Sequence, residues 1–266
     1  MAETVASIAA LTRAAATTAT AYRGRLLAGL LTTFFPLLLM AVWLTVVATS
    51  GPPRGWTAPD FISYYAAASL LWHLSGQNVI WQWDEDIRGG DFSIRLLRPV
   101  HPFWQYAAND LGQRLVMLGL AAPVFVAATL VLPQLGYHLT AVRLLATVVA
   151  VLLAYAVSIT MASLVALLGF WSTQTTNLWM LWWGLGSFAS GWIAPLEVMP
   201  GWLRSTAEWL PFRTTMGFPV ELMTGRLSAA ETAFGFAVGL GWLALFTVLY
   251  LVVWKPGVRR HQAVGG

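Results

Sequence analysis

Six apolar stretches, each of about the length that crosses a lipid bilayer, constrain the fold of this chain more than any other feature. A helix needs about 20 predominantly apolar residues to span the hydrocarbon core. The stretches run from Leu26 to Thr49, Phe61 to Trp81, Leu115 to Leu132, Val142 to Phe170, Leu178 to Ile193 and Thr232 to Trp254. Because a helix satisfies its own backbone hydrogen bonds in lipid, we predict an all-α polytopic membrane protein with six transmembrane helices. The mean hydropathy of +0.68 agrees, and only 10% of the residues are charged.

The lysines and arginines predict how the chain is oriented, because short cytoplasmic loops carry an excess of them. Ten lie on one predicted side: Arg13, Arg23, Arg25, Arg88, Arg95, Arg98, Arg114, Lys255, Arg259 and Arg260. Five lie on the other: Arg54, Arg143, Arg204, Arg213 and Arg226. We therefore predict that both termini are cytoplasmic.

These spans and loops divide a single domain of residues 1–266 into consecutive parts. The predicted parts are a helix on the cytoplasmic membrane face (1–25), spans one and two (26–82), a cytoplasmic loop (83–114), spans three to five (115–194), an outer segment (195–230), span six (231–254) and a cytoplasmic tail (255–266).

The outer segment reads "PLEVMPGWLRSTAEWLPFRTTMGFPVELMTGRLS" from Pro195 to Ser228. Its prolines at 195, 200, 211 and 219 predict several short helices. Its many apolar side chains are too numerous for a free loop. We predict a re-entrant pair of short helices that dips into the outer leaflet, with tryptophans at the interface.

Motifs of several enzyme classes are missing from the sequence. It has no H-E-x-x-H or G-x-S-x-G motif and no cysteine. The only lysine, Lys255, precedes Pro256 and cannot serve a phosphate-binding loop. Carboxylates are predicted in the loops, with Asp60 at the edge of a span, so none is placed to relay protons. Energy for any transport must therefore come from a partner.

The stretch "IRGGDFSIRLLRPVHPFW" from Ile87 to Trp104 interrupts the apolar pattern. Asp91 can cap a short helix through its carboxylate, and Pro99 disfavours helical geometry at the residue before it. Phe92 shares faces with Arg95 and Leu96, so we expect apolar and guanidinium groups to point outward. The pattern fits equally a docking element for a separate protein and a helix that lies in lipid headgroups.

Two segments carry a resemblance to a known family. "GGDFSIRLLRPVHPFW" in the first cytoplasmic loop and "PLEVMPGWL…WLPF…GFPVELMTGRLS" before the last span resemble the permease subunits of ABC transporters of the type-2 exporter class. More narrowly, "LLRPVHPFW" is similar to a bacterial subfamily that includes proposed viologen exporters.

This resemblance implies a type-2 ABC exporter fold in the bacterial cytoplasmic membrane, with no ATPase site in the chain. ATP and Mg would bind two copies of an ABC ATP-binding subunit, and this chain would bind no cofactor. A second permease, either a different chain or an identical one, is also implied. Residues 1–25 would form the connecting helix.

The resemblance also implies roles for particular residues. The coupling helix that fits the ATPase would consist of Gly90, Asp91, Phe92, Ile94, Arg95, Leu96, Leu97, Arg98 and Pro99. The outer gate would include Pro195, Met199, Pro200, Trp202, Pro211 and Phe212.

Aromatic residues inside two predicted spans are candidates for a substrate pathway, because aromatic faces attract organic cations. With one intramembrane histidine, the set is Tyr64, Tyr65, Trp72, His73, Trp179, Trp182 and Trp183. Ordinary helix packing is the alternative for each aromatic residue, and a hydrogen-bonded neutral imidazole is the alternative for His73. In the last span, Gly235 and Gly239 permit close helix approach, either within the chain or between subunits.

The sequence therefore predicts the permease subunit of an ATP-driven exporter that moves a small hydrophobic or amphipathic compound outward by alternating access. A cationic aromatic compound is one candidate. Closure of the ATPase dimer would push the coupling helix and tilt spans one, two and five. Two alternatives are a membrane-embedded lipid-modifying enzyme with a site around Glu197, Glu208 and Arg213, and a scaffold subunit that does not transport.

Overall fold

Every regular element that the structure, a computed structural model, describes is a helix. The described residues are 2–21, 24, 31–32, 34–75, 79–132, 135, 137, 140–172 and 174–264, and no strand occurs within them. The all-helical prediction is therefore confirmed for this part of the chain.

The helices are numbered in their order along the chain. They are α1 (Ala2–Ala21), α2 (Phe34–Ser50), α3 (Ala58–Ser75), α4 (Val79–Gly89), α5 (Asp91–Leu96), α6 (Pro102–Val131), α7 (Ala141–Leu167), α8 (Thr175–Ala189), α9 (Gly201–Ala207), α10 (Pro211–Thr215), α11 (Gly217–Met223) and α12 (Ala229–Val264). Short 3-10 turns occupy Pro53–Gly55, Leu168–Phe170 and Leu196–Val198.

Three of these helices are long and apolar enough to cross a membrane. They are Pro102–Val131, Ala141–Phe170 and Ala229–His261, of 30, 30 and 33 residues. At about 1.5 Å per residue, 30 residues extend about 45 Å, which exceeds the roughly 30 Å of a hydrocarbon core. They coincide with predicted spans three, four and six, so these three spans are confirmed as apolar helices of sufficient length.

The other three predicted spans differ from the expectation in their bounds. Span one is helical over Phe34–Ser50, and residues 26–30 and 33 of the predicted span lie outside the described residues. The region of predicted span two is helical over Ala58–Ser75 and Val79–Gly89, and residues 76–78 lie outside the described residues. Span five is helical over the 15 residues Thr175–Ala189. The count of six spans stays a prediction.

Helix α7 is the central element of the fold. It packs against α12, α11, α10, α4, α3 and α8. Ala150, Ala154 and Ala162 on α7 have no exposed surface, and these small side chains let neighbouring helices approach closely. The core therefore forms around the most apolar of the three long helices.

The glycines of the last span pack inside the chain. A Cβ atom on Gly235 would overlap the Phe218 ring, and one on Gly239 would lie 2.7 Å from Leu153. A Cβ on Gly241 would meet nothing within 4 Å among the described residues. Of the two alternatives that the sequence left open, packing within the chain accounts for Gly235 and Gly239.

Residues Ala2–Ala21 form a helix that packs on the first half of α6, and the predicted place of this helix on the cytoplasmic membrane face stays a prediction. Ala15 and Ala19 are buried there. A Cβ atom on Gly112 of α6 would overlap the Thr12 carbonyl oxygen, so the two backbones are in close contact.

Helix α6 begins at Pro102, so the second half of the predicted cytoplasmic loop 83–114 is helical, and the cytoplasmic location of this loop stays a prediction. Asp110 and Arg114 consequently lie inside a helix, where both are buried and form an ion pair. Arg114 also donates a hydrogen bond of 3.2 Å to the carbonyl of His73 near the end of α3. The search for apolar stretches excluded both residues from the span because each is charged. In the helix they lie one turn apart and neutralise each other.

The predicted tail 255–266 is also helical as far as the structure describes it. Helix α12 continues through Pro256 to Val264. A proline inside a helix removes the one hydrogen bond that its own N–H would donate to the carbonyl four residues earlier. The next residue, Gly257, packs against the Phe170 ring, which holds the helix in place beyond the proline.

Substitution Gly235→Ala should destabilise the protein by about 1 to 3 kcal/mol, because the added methyl group overpacks against the Phe218 ring. The matched variant Gly241→Ala, in the same helix, should be neutral or slightly stabilising. Thermal unfolding of detergent-purified protein, followed by tryptophan fluorescence, compares the two. Equal midpoints for both variants would contradict this packing.

Candidate functional site

Helix α5 folds back on α4 through a glycine turn. Gly90 precedes α5 with a φ of 85°, a left-handed conformation that glycine adopts without strain. Asp91 is the first residue of the helix, and no side-chain hydrogen bond caps this end. The prediction that Asp91 caps the helix is wrong, because Gly90 occupies the capping position.

Polar contacts with two neighbouring helices hold α5 in place. Arg95 pairs with Asp86 of α4, and its guanidinium lies 4.3 Å from the centre of the Tyr106 ring. The Tyr106 hydroxyl donates to the same Asp86 carboxylate at 2.6 Å. The Gln105 amide donates to the carbonyls of Arg95 at 2.9 Å and Val100 at 2.7 Å. These bonds tie the backbone at and just after the end of α5 to the first turn of α6.

The two faces of α5 differ sharply in exposure. Ile94 is 55% exposed and Leu97, which directly follows the helix, is 86% exposed. Arg98 and Pro99 are also exposed. Phe92 is wholly buried and Leu96 is packed against the core, so the predicted outward direction of Phe92 is wrong. Helical spacing shows which residues share a face, but it does not show which face meets the rest of the protein.

The Phe92 ring lies in an aromatic nest, which we define as Trp83, Phe170, Trp254 and His261. Their ring centres are 5.4, 5.2, 6.2 and 5.3 Å from that of Phe92. The nest combines residues from α4, the end of α7 and α12. These contacts are far apart in the sequence.

A small cavity of about 80 Å³ lies between α3, α7, α8 and α10. We call it the aromatic cavity. Its described lining residues are Trp72, Ser158, Met161, Trp179, Trp182, Trp183, Gly186, Ser187, Ser190, Trp192, Phe212, Thr215 and Met216. None of these described residues carries a charge.

The structure brings together four of the seven predicted pathway residues, Trp72, Trp179, Trp182 and Trp183. Trp192, which the sequence pattern did not indicate, also lines this cavity. Trp192 stacks on Trp72 with a ring-centre distance of 4.4 Å. The tryptophan lies beyond α8, in a turn whose path the sequence does not show.

Tyr64 and Tyr65 are not among the described lining residues, and their hydroxyl groups have a structural role. They donate to the carbonyls of Gly191 and Ile193, each at 2.8 Å. Gly191 has a φ of 85°, and a Cβ there would lie 2.6 Å from the Tyr64 hydroxyl. The tyrosines thus hold the turn after α8 that presents Trp192 to the cavity. His73 is buried and also lies outside the lining.

The 195–228 segment forms the short helices that its prolines predicted. Pro200 precedes α9 and Pro211 is the first residue of α10. Of the predicted gate residues, only Phe212 is among the described residues that line the aromatic cavity, where its ring lies 4.8 Å from that of Trp182. Pro195, Met199, Pro200, Trp202 and Pro211 are not part of that lining. Trp202 is 71% exposed.

An ion-pair cluster connects this segment to the loop before α3. Arg226 pairs with Asp60 at 2.6 Å and with Glu197 at 3.0 Å. Its guanidinium lies 3.6 Å from the centre of the Trp56 ring, and the Trp56 indole donates to Glu197 at 2.8 Å. The Thr57 hydroxyl donates to Asp60 at 2.6 Å. Both carboxylates of the cluster therefore accept hydrogen bonds in addition to their ion pair with the arginine.

A second ion pair, between Arg213 and Glu221, is buried within the segment. The Arg213 Nη2 atom lies 2.6 Å from Glu221 Oε2, and the two side chains are 8% and 5% exposed. A polar cavity of about 170 Å³ adjoins this pair and is also lined by Glu197, Arg204, Glu208 and Glu231.

The lipid-modifying enzyme predicted as an alternative needs free catalytic groups among these residues. Glu197 is bound by Arg226, Glu208 by Arg204, and Arg213 by Glu221. Within the described part of the chain, no three His, Cys, Asp or Glu side chains are grouped to hold a metal ion. The arrangement does not favour an enzyme.

Within the described residues, these features define an all-helical subunit with three helices able to cross a membrane and a cavity lined by aromatic side chains. A family model described as "ABC-2 family transporter protein" matches residues 29–265, and the chain belongs to this family. It is therefore a membrane transporter subunit, of a family whose permeases normally work with an ATP-binding subunit. No curated protein matches the chain.

Substitution Glu221→Gln should destabilise the protein by about 3 to 5 kcal/mol, because it leaves the buried Arg213 without its counter-ion. The matched variant Glu208→Gln, from the more exposed pair with Arg204, should cost about 0 to 1 kcal/mol. Thermal midpoints and the monodisperse fraction on size-exclusion chromatography measure the difference. If Glu208→Gln proved as damaging as Glu221→Gln, burial would not explain the result.

Proposed function

We propose that this chain is the transmembrane permease subunit of an ATP-driven exporter. It moves a small hydrophobic or amphipathic compound out of a bacterial cell by alternating access. The observation that carries the proposal is α5, a short helix fixed by Asp86 and Gln105 that presents an exposed apolar edge of Ile94 and Leu97. A rigid helix of this kind can transmit force from a partner, since the groups that hold it lie on neighbouring helices.

In the proposed topology, α2, α3, α6, α7, α8 and α12 are the six spans of a type-2 exporter fold. Both termini and α5 face the cytoplasm, and the 195–228 segment faces outward as a re-entrant element. The burial of Phe218 and Val220 of α11 supports this, because the segment packs back among the long helices. The exposed Trp202 and Trp209 suit a membrane interface.

The proposed assembly contains two ATP-binding subunits, which bind ATP and Mg, and a second permease. The size of the aromatic cavity supports the second permease. Pockets for drug-sized ligands measure about 300 to 1,000 Å³, whereas this cavity measures about 80 Å³. Helix α8, beside the cavity, exposes Met180, Leu181 and Leu185 by 56%, 62% and 62%. A second permease packed there would enlarge the cavity into a transport pathway.

The chemistry of the aromatic cavity favours a flat organic cation as substrate. Trp179, Trp182 and Trp183 supply indole faces, each able to attract a desolvated cation by about 0.5 to 2 kcal/mol. Serine and threonine hydroxyls nearby can accept hydrogen bonds from such a compound. This substrate class agrees with the narrower resemblance to proposed viologen exporters.

Substitution Leu97→Asp should abolish co-purification with the ATP-binding subunit while membrane insertion is retained, since it places a charge in an apolar contact. Ile94→Asp should act in the same way. The control Trp202→Asp changes an apolar residue of similar exposure on the opposite proposed face and should leave the complex intact. Pull-down from detergent-solubilised membranes measures the complex.

Two outcomes would argue against this assignment. An unchanged complex in both α5 variants would remove α5 as the docking element. An intact complex whose ATP hydrolysis never responds to a panel of organic cations would favour the scaffold alternative.

Substitution Trp182→Ala should lower export of a flat aromatic cation by about 2- to 30-fold, the equivalent of one cation–π contact. Trp81→Ala removes a tryptophan that is 42% exposed and not among the described lining residues, and it should leave export unchanged. ATP-driven accumulation of methyl viologen in inside-out vesicles measures the effect. Equal activity of the two variants, or transport without ATP, would contradict the proposal.

A further inference from the structure

The buried side of α5 points to the route by which the proposed exporter transmits force. Phe92 is the wholly buried residue of the helix. Its ring fills the aromatic nest of Trp83, Phe170, Trp254 and His261 at centre-to-centre distances of 5.2 to 6.2 Å. Interiors are close-packed, so a displacement of α5 cannot leave these neighbours in place.

The helix makes a second, polar contact with the same neighbour. The Ser93 hydroxyl lies 3.1 Å from the His261 Nε2 atom. His261 and Trp254 both belong to α12. Two consecutive residues of α5 thus contact one long helix.

The end of α12 is fastened to the end of α7. Arg260 donates to the Phe170 carbonyl at 3.0 Å. A Cβ atom on Gly257 would lie 2.6 Å from the Phe170 ring, so the helix backbone lies directly on that ring. The nest is consequently a fixed joint between α5, α7 and α12.

The other end of α12 contacts the 195–228 segment. The Trp242 indole donates to the Trp209 carbonyl at 2.8 Å, and Phe234 packs edge-on against the Trp209 ring at 4.9 Å. Gly235 allows the Phe218 ring of α11 to lie against the α12 backbone. From Phe234 to Trp254 the helix is continuous, a distance of about 30 Å at 1.5 Å per residue.

We propose that Phe92 is the positioning residue through which movement of α5 reaches α12, and that α12 carries this movement to the 195–228 segment. The inference rests on the proposed function and adds the internal route. It differs from the expectation that the coupling helix tilts spans one, two and five. The reason is that the packed contacts of Phe92 lie on α4, the end of α7 and α12.

The test uses a single reporter cysteine, since the native chain has no cysteine. Leu227→Cys places a thiol at a half-buried position of the 195–228 segment. Its labelling rate with a membrane-impermeant maleimide is read on this chain's gel band in the purified complex. Rates are compared with and without Mg-ATP and orthovanadate. In the otherwise unaltered complex, trapping nucleotide should change the rate several-fold.

Adding Phe92→Ala should abolish this nucleotide-dependent change while the ATP-binding subunit still co-purifies. The matched variant Phe103→Ala removes a phenyl ring of α6 that packs on Tyr250 of α12 but is not part of the nest. This variant should retain the nucleotide-dependent change in labelling rate. If Phe92→Ala does not accumulate, Phe92→Leu, which retains apolar volume, should reduce the change.

The possible results are distinguishable. The inference is overturned if the nucleotide-dependent change in labelling rate persists with Phe92→Ala. It is also overturned if Phe103→Ala abolishes that change equally. Both results leave the proposed function standing. The inference is also overturned if the reporter in the unaltered complex does not respond to nucleotide. An unaltered chain that captures no ATP-binding subunit refutes the proposed function itself.

Discussion

Lipid offers no hydrogen-bond partner to a polypeptide backbone, and the rest of this structure depends on that constraint. Continuous helices satisfy it along α6, α7 and α12. In the turn after α8, side chains supply partners to the backbone: Tyr64 donates to the Gly191 carbonyl, and Tyr65 donates to the Ile193 carbonyl. Polar side chains thus serve the backbone at this interruption between helices.

The same constraint explains why the charges occur in pairs. With 10% charged residues, an unpartnered charge among the helices would be costly. Arg213 and Glu221 neutralise each other within the 195–228 segment, and Arg226 joins that segment to Asp60 and Glu197. These pairs hold the short helices of the segment to one another and to the start of α3. The long helix α12 contacts the segment at one end and the aromatic nest at the other.

The predictions from sequence succeeded where one residue type has one preferred environment. Prolines predicted the short helices of the 195–228 segment. Four tryptophans predicted for a substrate pathway line one cavity, and the pathway itself stays a prediction. The predictions failed for residues whose role depends on a partner. Phe92 was expected to point outward, and Trp192 was not selected at all, although it stacks on Trp72. The residues beside Phe92 do not show whether its ring is buried or exposed. The residues beside Trp192 do not show whether its ring lines a cavity.

By itself, the sequence determined the helical class and the positions of the three longest apolar helices, because hydrogen bonds within a helix join residues four positions apart. The resemblance of two short segments was enough to indicate the transporter family. Only the tertiary structure decided which face of α5 is buried and which aromatic residues line a common cavity. Phe92 and Trp254, or Trp72 and Trp192, lie more than about a hundred residues apart, so no local pattern can specify their contact.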